Sequence, residues 1–144
     1  MIVKFKENTE FDEMINRVVQ GHCLDALKTI PDNSIDCVVT SPPYYTLRKY
    51  KEAETDWGDW VGQLGREPTL DLYLDHLLLV TKEIKRILTP TGILFWNHGD
   101  SYDKNKCMTL QGYRLVLRMV EEQGWILRQR IIWAKEIWVK RENR

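Results

Sequence analysis

Short apolar runs alternate with longer amphipathic stretches along the chain, and this alternation predicts an α/β fold with a mostly parallel sheet. The predicted strands are runs rich in β-branched or aromatic residues, at 18–20, 35–40, 93–96 and 125–133. The predicted helices carry apolar residues at helical spacing and cover 23–30, 70–88 and 109–123. Turn residues separate these elements, and Gly124 is the predicted C-cap of the last helix.

Residues 45–67 interrupt the alternation, because they are polar and aromatic and show no sustained period. Stretches of this length without regular structure are uncommon inside a compact domain, and those that occur often carry function. Four large aromatic side chains and three glycines fall within it. We therefore interpret 45–67 as a long functional loop within the domain.

Two polar segments, 41–44 and 97–102, directly follow predicted strands. The first contains two prolines, which cannot continue a central strand, so the chain must leave the sheet there. Parallel sheets bind ligands outside the carboxyl ends of their strands. The pattern therefore predicts that both segments line one cleft. Asn97, Asp100 and Ser101 in the second segment are either cleft residues or simple turn formers.

The segment Ser-Pro-Pro-Tyr at 41–44, here called the SPPY segment, has a composition suited to holding a planar amine. The stiff unit of Pro42 and Pro43 fixes the direction of a backbone carbonyl, and the Ser41 hydroxyl is a second acceptor. Two converging acceptors can bind both hydrogens of an amino group, while Tyr44 offers a flat face to a ring. This chemistry fits an exocyclic amine on a heterocycle that has left its base stack. The alternative is an ordinary Pro-Pro turn whose tyrosine packs on the core.

Composition narrows the class of protein without identifying its function. The 144 residues carry 21 basic and 21 acidic side chains, and a net charge of +0 excludes a histone-like polycation but not a local basic face. No apolar run approaches the roughly 18 residues that a membrane helix needs, and the start of the chain has no signal-peptide core. Three cysteines without CxxC spacing argue against a disulfide framework and fit a reducing cytoplasm.

Several motifs in a fixed order resemble the S-adenosylmethionine-dependent DNA amino-methyltransferases of the permuted beta order, which modify cytosine-N4 or adenine-N6. The motifs that carry the resemblance lie at 21–24, 31–44, 67–69, 92–97, 99–102, 124–128 and 131–135. The resemblance implies a Rossmann-like methyltransferase sheet, incomplete in this chain. Residues 1–144 would then be the part of one methyltransferase domain that bears the catalytic motif.

The resemblance also implies roles for the residues of the SPPY segment. Ser41 and the carbonyl of Pro42 would hold the target amino group, Pro43 would complete the catalytic motif, and Tyr44 would stack on the flipped base. Serine in the first place favours cytosine-N4, with adenine-N6 as the alternative. Methylation of an RNA or protein amine is a further alternative, because the segment does not identify the polymer. No metal is implied.

For the cofactor, S-adenosylmethionine, the resemblance points to His22, Cys23 and Ser41. His22 stands where many members carry an aspartate near the cofactor. The alternative is a loop histidine without a ligand.

Two basic stretches are candidates for DNA contact. In the long loop, Tyr45, Arg48 and Lys49 combine stacking and phosphate-binding side chains beside the SPPY segment, with packing of the loop tryptophans as the alternative. The tail 125–144 carries an excess of basic side chains that could meet phosphates, with a solvated terminus as the alternative. The basic residues of this tail are Arg128, Arg130, Lys135, Lys140, Arg141 and Arg144.

The resemblance further implies a second half with a Gly-rich cofactor loop, and no Gly-x-Gly occurs in this chain. The strands at 18–20 and 35–40 would not pair directly, because strands of that half lie between them. The chain is then part of a longer enzyme, or pairs with a second chain or another copy of itself, or has become a non-catalytic half-module. Open apolar strand edges would favour such association.

Overall fold

The structure, a computed structural model, describes residues 2–51 and 54–134, which form six strands and four helices. The strands are β1 (Ile2–Lys4), β2 (Val18–Gln20), β3 (Ile35–Thr40), β4 (Thr55–Asp56), β5 (Val61–Gly62) and β6 (Leu88–Trp96). The helices are α1 (Phe11–Met14), α2 (Cys23–Thr29), α3 (Leu70–Ile87) and α4 (Gln111–Gln123). The predicted α/β class is confirmed, and β1 and α1 are elements that the pattern did not predict.

The parallel strands form two separate pairs. β1 pairs with β2, and β3 pairs with β6, both in parallel. Across the described ranges no strand joins the two pairs, so this part of the chain shows two parallel pairs and not one continuous sheet. The expectation that the strand at 18–20 does not pair with the strand at 35–40 is confirmed.

β6 begins earlier than predicted, because the turn sequence 89–92 bulges out of the strand instead of preceding it. Ile35 pairs with Leu88 and Cys37 with Ile93, so two steps along β3 correspond to five along β6. From Cys37 onward the pairing is regular to the end of both strands. The bulge lets the chain pass from α3 into β6 without a separate loop.

α3 is the central helix of the fold. The Thr69 side chain caps it by accepting a hydrogen bond from the backbone N–H of Leu72 at 3.2 Å. Its apolar stripe packs against α4 in one hydrophobic cluster, whose buried members are Tyr73, Leu74, Leu77, Leu78, Leu115 and Met119. No helix within residues 2–51 or 54–134 has the length and apolar character needed to cross a bilayer.

α4 matches the helix predicted at 109–123. Its N-cap Leu110 and its C-cap Gly124 both adopt left-handed backbone conformations, with φ of 54° and 66°. The backbone N–H of Gly124 closes the helix on the carbonyls of Met119 and Val120. The predicted glycine cap is thereby confirmed.

The long loop contains a small antiparallel hairpin, β4 with β5, that the sequence did not predict. Two residues per strand leave no period to detect. The hairpin is fixed by side chains: Trp57 is buried, and the amide of Gln63 bonds the backbone of Tyr50 and Arg48. The described part of the loop thus forms a strap against the first turns of α3, where Trp57 stacks on His76.

The predicted strand at 125–133 is wrong as far as the structure describes this segment. Residues 125–134 form no strand, and the side chains of Ile126, Ile131 and Trp133 are all more than two-thirds exposed. A strand needs the backbone groups of a neighbouring strand, and none of the described strands pairs with this segment. Trp125 is the one residue of 125–134 that packs against the hydrophobic cluster.

Replacement of Leu77 by alanine tests the central packing of α3. Leu77 is fully buried, so Leu77→Ala should lower the free energy of unfolding by about 2–5 kcal/mol. Leu79→Ala is the matched control on the same helix, because Leu79 is 44% exposed and should cost below about 1 kcal/mol. Urea denaturation of both variants measures the difference. Equal losses would contradict the assigned helix face.

Candidate catalytic cleft

The pairing of β3 with β6 brings two polar segments together at one end of the strands. Thr40 and Trp96 are opposite each other as the last residues of the two strands. The ladder continues one step further, because the backbone N–H of Asn97 donates to the Thr40 carbonyl at 2.9 Å. Ser41 and Asn97 are therefore neighbours, as the strand pattern predicted.

Three polar side chains meet at this edge. The Asn97 side-chain amide donates to the Ser41 hydroxyl at 3.1 Å and to the Tyr44 hydroxyl at 2.9 Å. The two hydroxyls lie 3.3 Å apart. Asn97 thus links the carboxyl end of β6 to two residues that line the cleft, Ser41 and Tyr44.

An open cleft of about 280 Å³ lies over the SPPY segment. Residues 41–44 form one side, and Leu47, Arg48 and Tyr50 from the long loop form the other. The carbonyl of Pro42 accepts no hydrogen bond from the described residues, whereas the carbonyl of Pro43 accepts one from the Tyr73 hydroxyl at 2.9 Å. The cleft therefore contains one uncommitted carbonyl beside one serine hydroxyl.

The Tyr44 ring has a fixed position between the cleft and the polar turn after β6. Its edge fits against Gly99 so closely that a Cβ there would lie 2.6 Å from Tyr44 Cε2. The rings of Tyr44 and His98 are tilted by 32° with centroids 5.2 Å apart. Gly99 is thus required by close approach of the ring rather than by its backbone conformation.

His98 is held neutral beneath the cleft. Its Nδ1 accepts the indole N–H of Trp96 at 3.0 Å, so the proton lies on Nε2, which donates to the Gln111 side-chain oxygen at 3.2 Å. Burial lowers the pKa of His98, although the contacts with Gln111 and Asp100 oppose this shift. A second proton would place two donors face to face at Trp96.

Comparison with known proteins identifies the family. The family model for the N6/N4 DNA methylases matches residues 35–144. The chain belongs to this DNA methylase family.

Its relatives include Type II methyltransferases. The chain is 34% identical over 131 residues to M.SfiI of Streptomyces fimbriatus, covering 80% of the chain and 29% of that protein. It is 33% identical over 144 residues to M.XycI of Xanthomonas campestris pv. cyanopsidis, covering 81% and 45%. The methylase chain thus spans less than half the length of these relatives.

Two solved structures share its fold. The PvuII DNA methyltransferase, which is cytosine-N4-specific, matches 72% of the chain and 33% of its own, with a TM-score of 0.53 and 26% identity. A putative DNA modification methylase from Thermus thermophilus matches 68% of the chain and 36% of its own, with a TM-score of 0.51 and 29% identity.

Of the three cofactor candidates, His22 and Cys23 lie at the start of α2, whereas Ser41 lies in the cleft. His22 is the N-cap position and Cys23 is the exposed first residue of the helix. The His22 ring meets Trp57 edge-on, with centroids 4.8 Å apart. Nε2 of His22 and Nε1 of Trp57 are both buried without a partner in the part of the chain described.

The candidate DNA-contact residues lie in three different parts of the structure. Arg48 lines the cleft and Lys49 is exposed beside it. Tyr45 instead packs against Tyr73, with ring centroids 5.4 Å apart, and contacts the hydrophobic cluster. Arg128 is exposed in the segment after α4, and the exposed Arg130 stacks over Tyr113. Lys135, Lys140, Arg141 and Arg144 lie outside the described residues.

Sequence reasoning missed the buried polar residues under the cleft. Tyr73 reads as one more member of the apolar stripe of α3, and Gln111 as a polar residue at a helix start. Asp100 and Ser101 do not line the cleft; they join the turn after β6 to the start of α4, where the Ser101 hydroxyl accepts from the Gln111 amide at 2.9 Å. Asp100 accepts from the Thr109 hydroxyl at 2.7 Å and from the Leu110 N–H at 3.1 Å.

Substitution of Gly99 tests the fixed position of the Tyr44 ring. Gly99→Ala should lower the free energy of unfolding by about 1–3 kcal/mol, because the new methyl group overlaps the ring. Gly112→Ala is the control, since its Cβ would come no closer than 3.4 Å to the His98 side chain, an ordinary contact, and alanine is favoured over glycine within a helix. Thermal unfolding measures both variants. An unaffected Gly99→Ala protein would show that the ring moves freely.

The neutral His98 predicts a pH dependence of stability. The unfolded state takes up a proton near the ordinary pKa of 6.5, and the folded state resists it, so acidification favours unfolding. Between about pH 7.5 and 5.5 the wild type should lose more stability than His98→Gln, which retains one acceptor and one donor. Other titrating groups are common to both proteins and cancel. Parallel stability curves for the two proteins would refute the neutral assignment.

Proposed function

We propose that this protein takes part in methylating the exocyclic amino group of a flipped DNA base, with cytosine-N4 as the target. Family membership supports the reaction class. The observation that carries the proposal is the cleft, where the Ser41 hydroxyl and the uncommitted carbonyl of Pro42 lie beside the Tyr44 ring. This is one acceptor for each hydrogen of an amino group and a flat surface for its ring.

The proposed role of these residues is to position the amino nitrogen of the target base for methyl transfer. Two acceptors that bind both amino hydrogens draw the nitrogen lone pair out of conjugation with the ring, which makes the nitrogen a better nucleophile. Holding the nitrogen at a fixed point supplies the orientation on which a direct transfer depends. A base must leave the DNA stack to reach such a site, and the open cleft has room for one.

Two findings support cytosine-N4 over adenine-N6. Serine occupies the first place of the SPPY segment, which the family resemblance links to cytosine-N4 enzymes. The solved PvuII methyltransferase, whose fold matches, is cytosine-N4-specific. Adenine-N6 methylation is the alternative, and product analysis separates the two.

We assign S-adenosylmethionine as the methyl donor, because it supplies an electrophilic methyl group without a metal. On the donor side, the unpartnered Nε2 of His22 and Nε1 of Trp57 fit a polar ligand at the start of α2. We assign Cys23 and Ser41, together with His22, as further contacts to the methyl donor. The Gly-rich loop implied by the resemblance has no counterpart in the sequence, so the donor site assigned to this chain is partial.

DNA would approach from the long-loop side of the cleft. Arg48 lines the cleft and Lys49 is exposed next to it, so both can reach backbone phosphates. We also propose Arg128 and Arg130, which follow α4, as contacts to DNA phosphates. Tyr45 is a weaker candidate, because its ring is committed to Tyr73.

We further infer that residues 1–144 work as the motif-bearing part of a larger methyltransferase domain with an incomplete Rossmann-like sheet. Three exposed residues support this: Val39 of β3 with Ile93 and Phe95 of β6, on one face of the strand pair. Such a face is normally covered in an α/β domain. A longer chain, a second chain or another copy could cover it.

Methyl transfer to DNA tests the function. The purified protein is incubated with labelled S-adenosylmethionine and DNA, RNA or protein, and the digested DNA is analysed for N4-methylcytosine and N6-methyladenine. Ser41→Ala should lower turnover by roughly 10²-fold, a loss typical of removing one preorganised polar contact. Ser34→Ala is the control, because the Ser34 hydroxyl donates to the Pro31 carbonyl in an exposed turn away from the cleft.

The outcomes separate the candidate functions. N4-methylcytosine supports the proposal, and N6-methyladenine replaces its target base. DNA binding without any methyl transfer favours a non-catalytic half-module. Equal turnover in Ser41→Ala and wild type would refute the role of the serine.

A further inference from the structure

Two buried polar side chains hold the peptide groups on either side of Tyr44. The Tyr73 hydroxyl donates to the Pro43 carbonyl at 2.9 Å, and the Gln111 side-chain oxygen accepts from the backbone N–H of Tyr45 at 2.8 Å. Both Tyr73 and Gln111 are 0% exposed. One contact fixes the peptide plane before Tyr44, and the other fixes the plane after it. Together they set both backbone torsions of Tyr44 and hence the direction in which its ring leaves the chain.

The side-chain amide of Gln111 is held in one orientation by its other hydrogen bonds. Its oxygen also accepts the Nε2–H of His98, and its amide nitrogen donates to the hydroxyls of Ser101 at 2.9 Å and Thr109 at 3.3 Å. All of its hydrogen-bonding groups are thereby used, which locks the orientation of the amide. The side chain ties the turn after β6 to the SPPY segment.

Neither polar group is needed by the helix that carries it. Tyr73 lies among the leucines of the α3 stripe, and its ring alone would fill the same space. Gln111 is the first residue of α4, with its side chain in the interior. Buried hydroxyl and amide groups cost stability unless partnered, and each of these two side chains has a backbone partner in residues 43–45. The remaining partners of Gln111 lie in the turn after β6 and just before α4, so neither polar group serves the interior of its own helix.

A third support reaches the next residue through Gly65. The Thr46 N–H donates to the Gly65 carbonyl at 2.8 Å, and the Gly65 N–H donates to the buried Glu67 carboxylate at 2.8 Å. The other oxygen of Glu67 is 2.9 Å from Nδ1 of the buried His76. Gly65 has φ of 86°, and a Cβ at this position would lie 2.8 Å from the carbonyl oxygen of Tyr44, so only glycine fits there. Gly65, in the long loop, therefore holds the backbone just after the SPPY segment at Thr46.

We propose that Tyr73 and Gln111 are positioning residues for methyl transfer: they fix Tyr44, and with it the surface on which the target base would stack. The inference deepens the proposed function and rests on it for the consequence in turnover. Its structural part, that the two side chains hold residues 43–46 in place, stands independently. A misplacement of about 1 Å at a reacting group can cost roughly 10²-fold in rate, which makes such supports consequential.

The first test removes one hydroxyl. Tyr73→Phe retains the ring and should lower kcat by roughly 10-fold to 100-fold while the KM for S-adenosylmethionine changes less than about twofold. Tyr113→Phe is the matched control for kcat at saturating DNA, because Tyr113 is 51% exposed on α4 and its hydroxyl contacts Arg130, whose proposed phosphate contact would affect the KM for DNA. Unchanged kcat in an active Tyr73→Phe protein would overturn the proposal.

A double-mutant cycle distinguishes positioning from general stability. If Tyr73 acts through Tyr44, then Tyr73→Phe should have little further effect on the residual turnover of Tyr44→Ala. A merely structural role predicts the same loss in both backgrounds. Additive losses would therefore overturn the proposal even if the single variant is slow.

Amide hydrogen exchange supplies a readout that needs no activity. In Gln111→Met, which retains the side-chain volume, the Tyr45 amide loses its acceptor, so its exchange should accelerate by about tenfold or more while amides in the middle of α3 remain protected. If the wild type transfers no methyl group but this local acceleration occurs, the proposed function fails and the support of the segment stands. Unaltered exchange at Tyr45 and Thr46 would overturn the inference itself.

Discussion

The parallel pairing of β3 with β6 is the constraint on which the cleft depends. Its regular register from Cys37 onward makes both strands end at the same level, with Thr40 opposite Trp96. The residues that follow, Ser41 and Asn97, are then within hydrogen-bonding distance although they are 56 positions apart in sequence. A shift of one residue would turn every side chain of β6 to the other face and separate the two segments.

A buried polar network then holds the SPPY segment, and it does so at some cost to the core. Gln111, His98 and Tyr73 place polar atoms in or beside a hydrophobic cluster whose other buried members are leucines and Met119. Each polar atom is satisfied, which turns a desolvation penalty into directional restraint. The lowered pKa of His98 belongs to the same arrangement, because the neutral ring is the form that accepts from Trp96 and donates to Gln111.

The strongly periodic elements could be predicted from the sequence, since α3, α4 and β3 carry their own pattern. The end-of-strand argument also predicted that Ser41 and Asn97 would meet. Long-range polar contacts could not be predicted, because Tyr73 has the same period as the apolar residues around it. The segment at 125–133 shows the converse failure. Its apolar pattern suits a strand, but a strand also needs hydrogen bonds to a neighbouring strand. No described strand pairs with this segment, and the pattern alone could not reveal that.

The two sides of the proposed reaction are unequally built into this chain. On the side of the base, three described residues make the backbone contacts that hold residues 43–46: Tyr73, Gln111 and Gly65. On the side of the donor, His22 and Trp57 keep buried polar atoms without a partner in the described parts. Such atoms are costly unless a ligand or further protein satisfies them. The proposed base site is therefore preorganised within these residues, whereas the proposed donor site requires a contribution that His22 and Trp57 alone do not make.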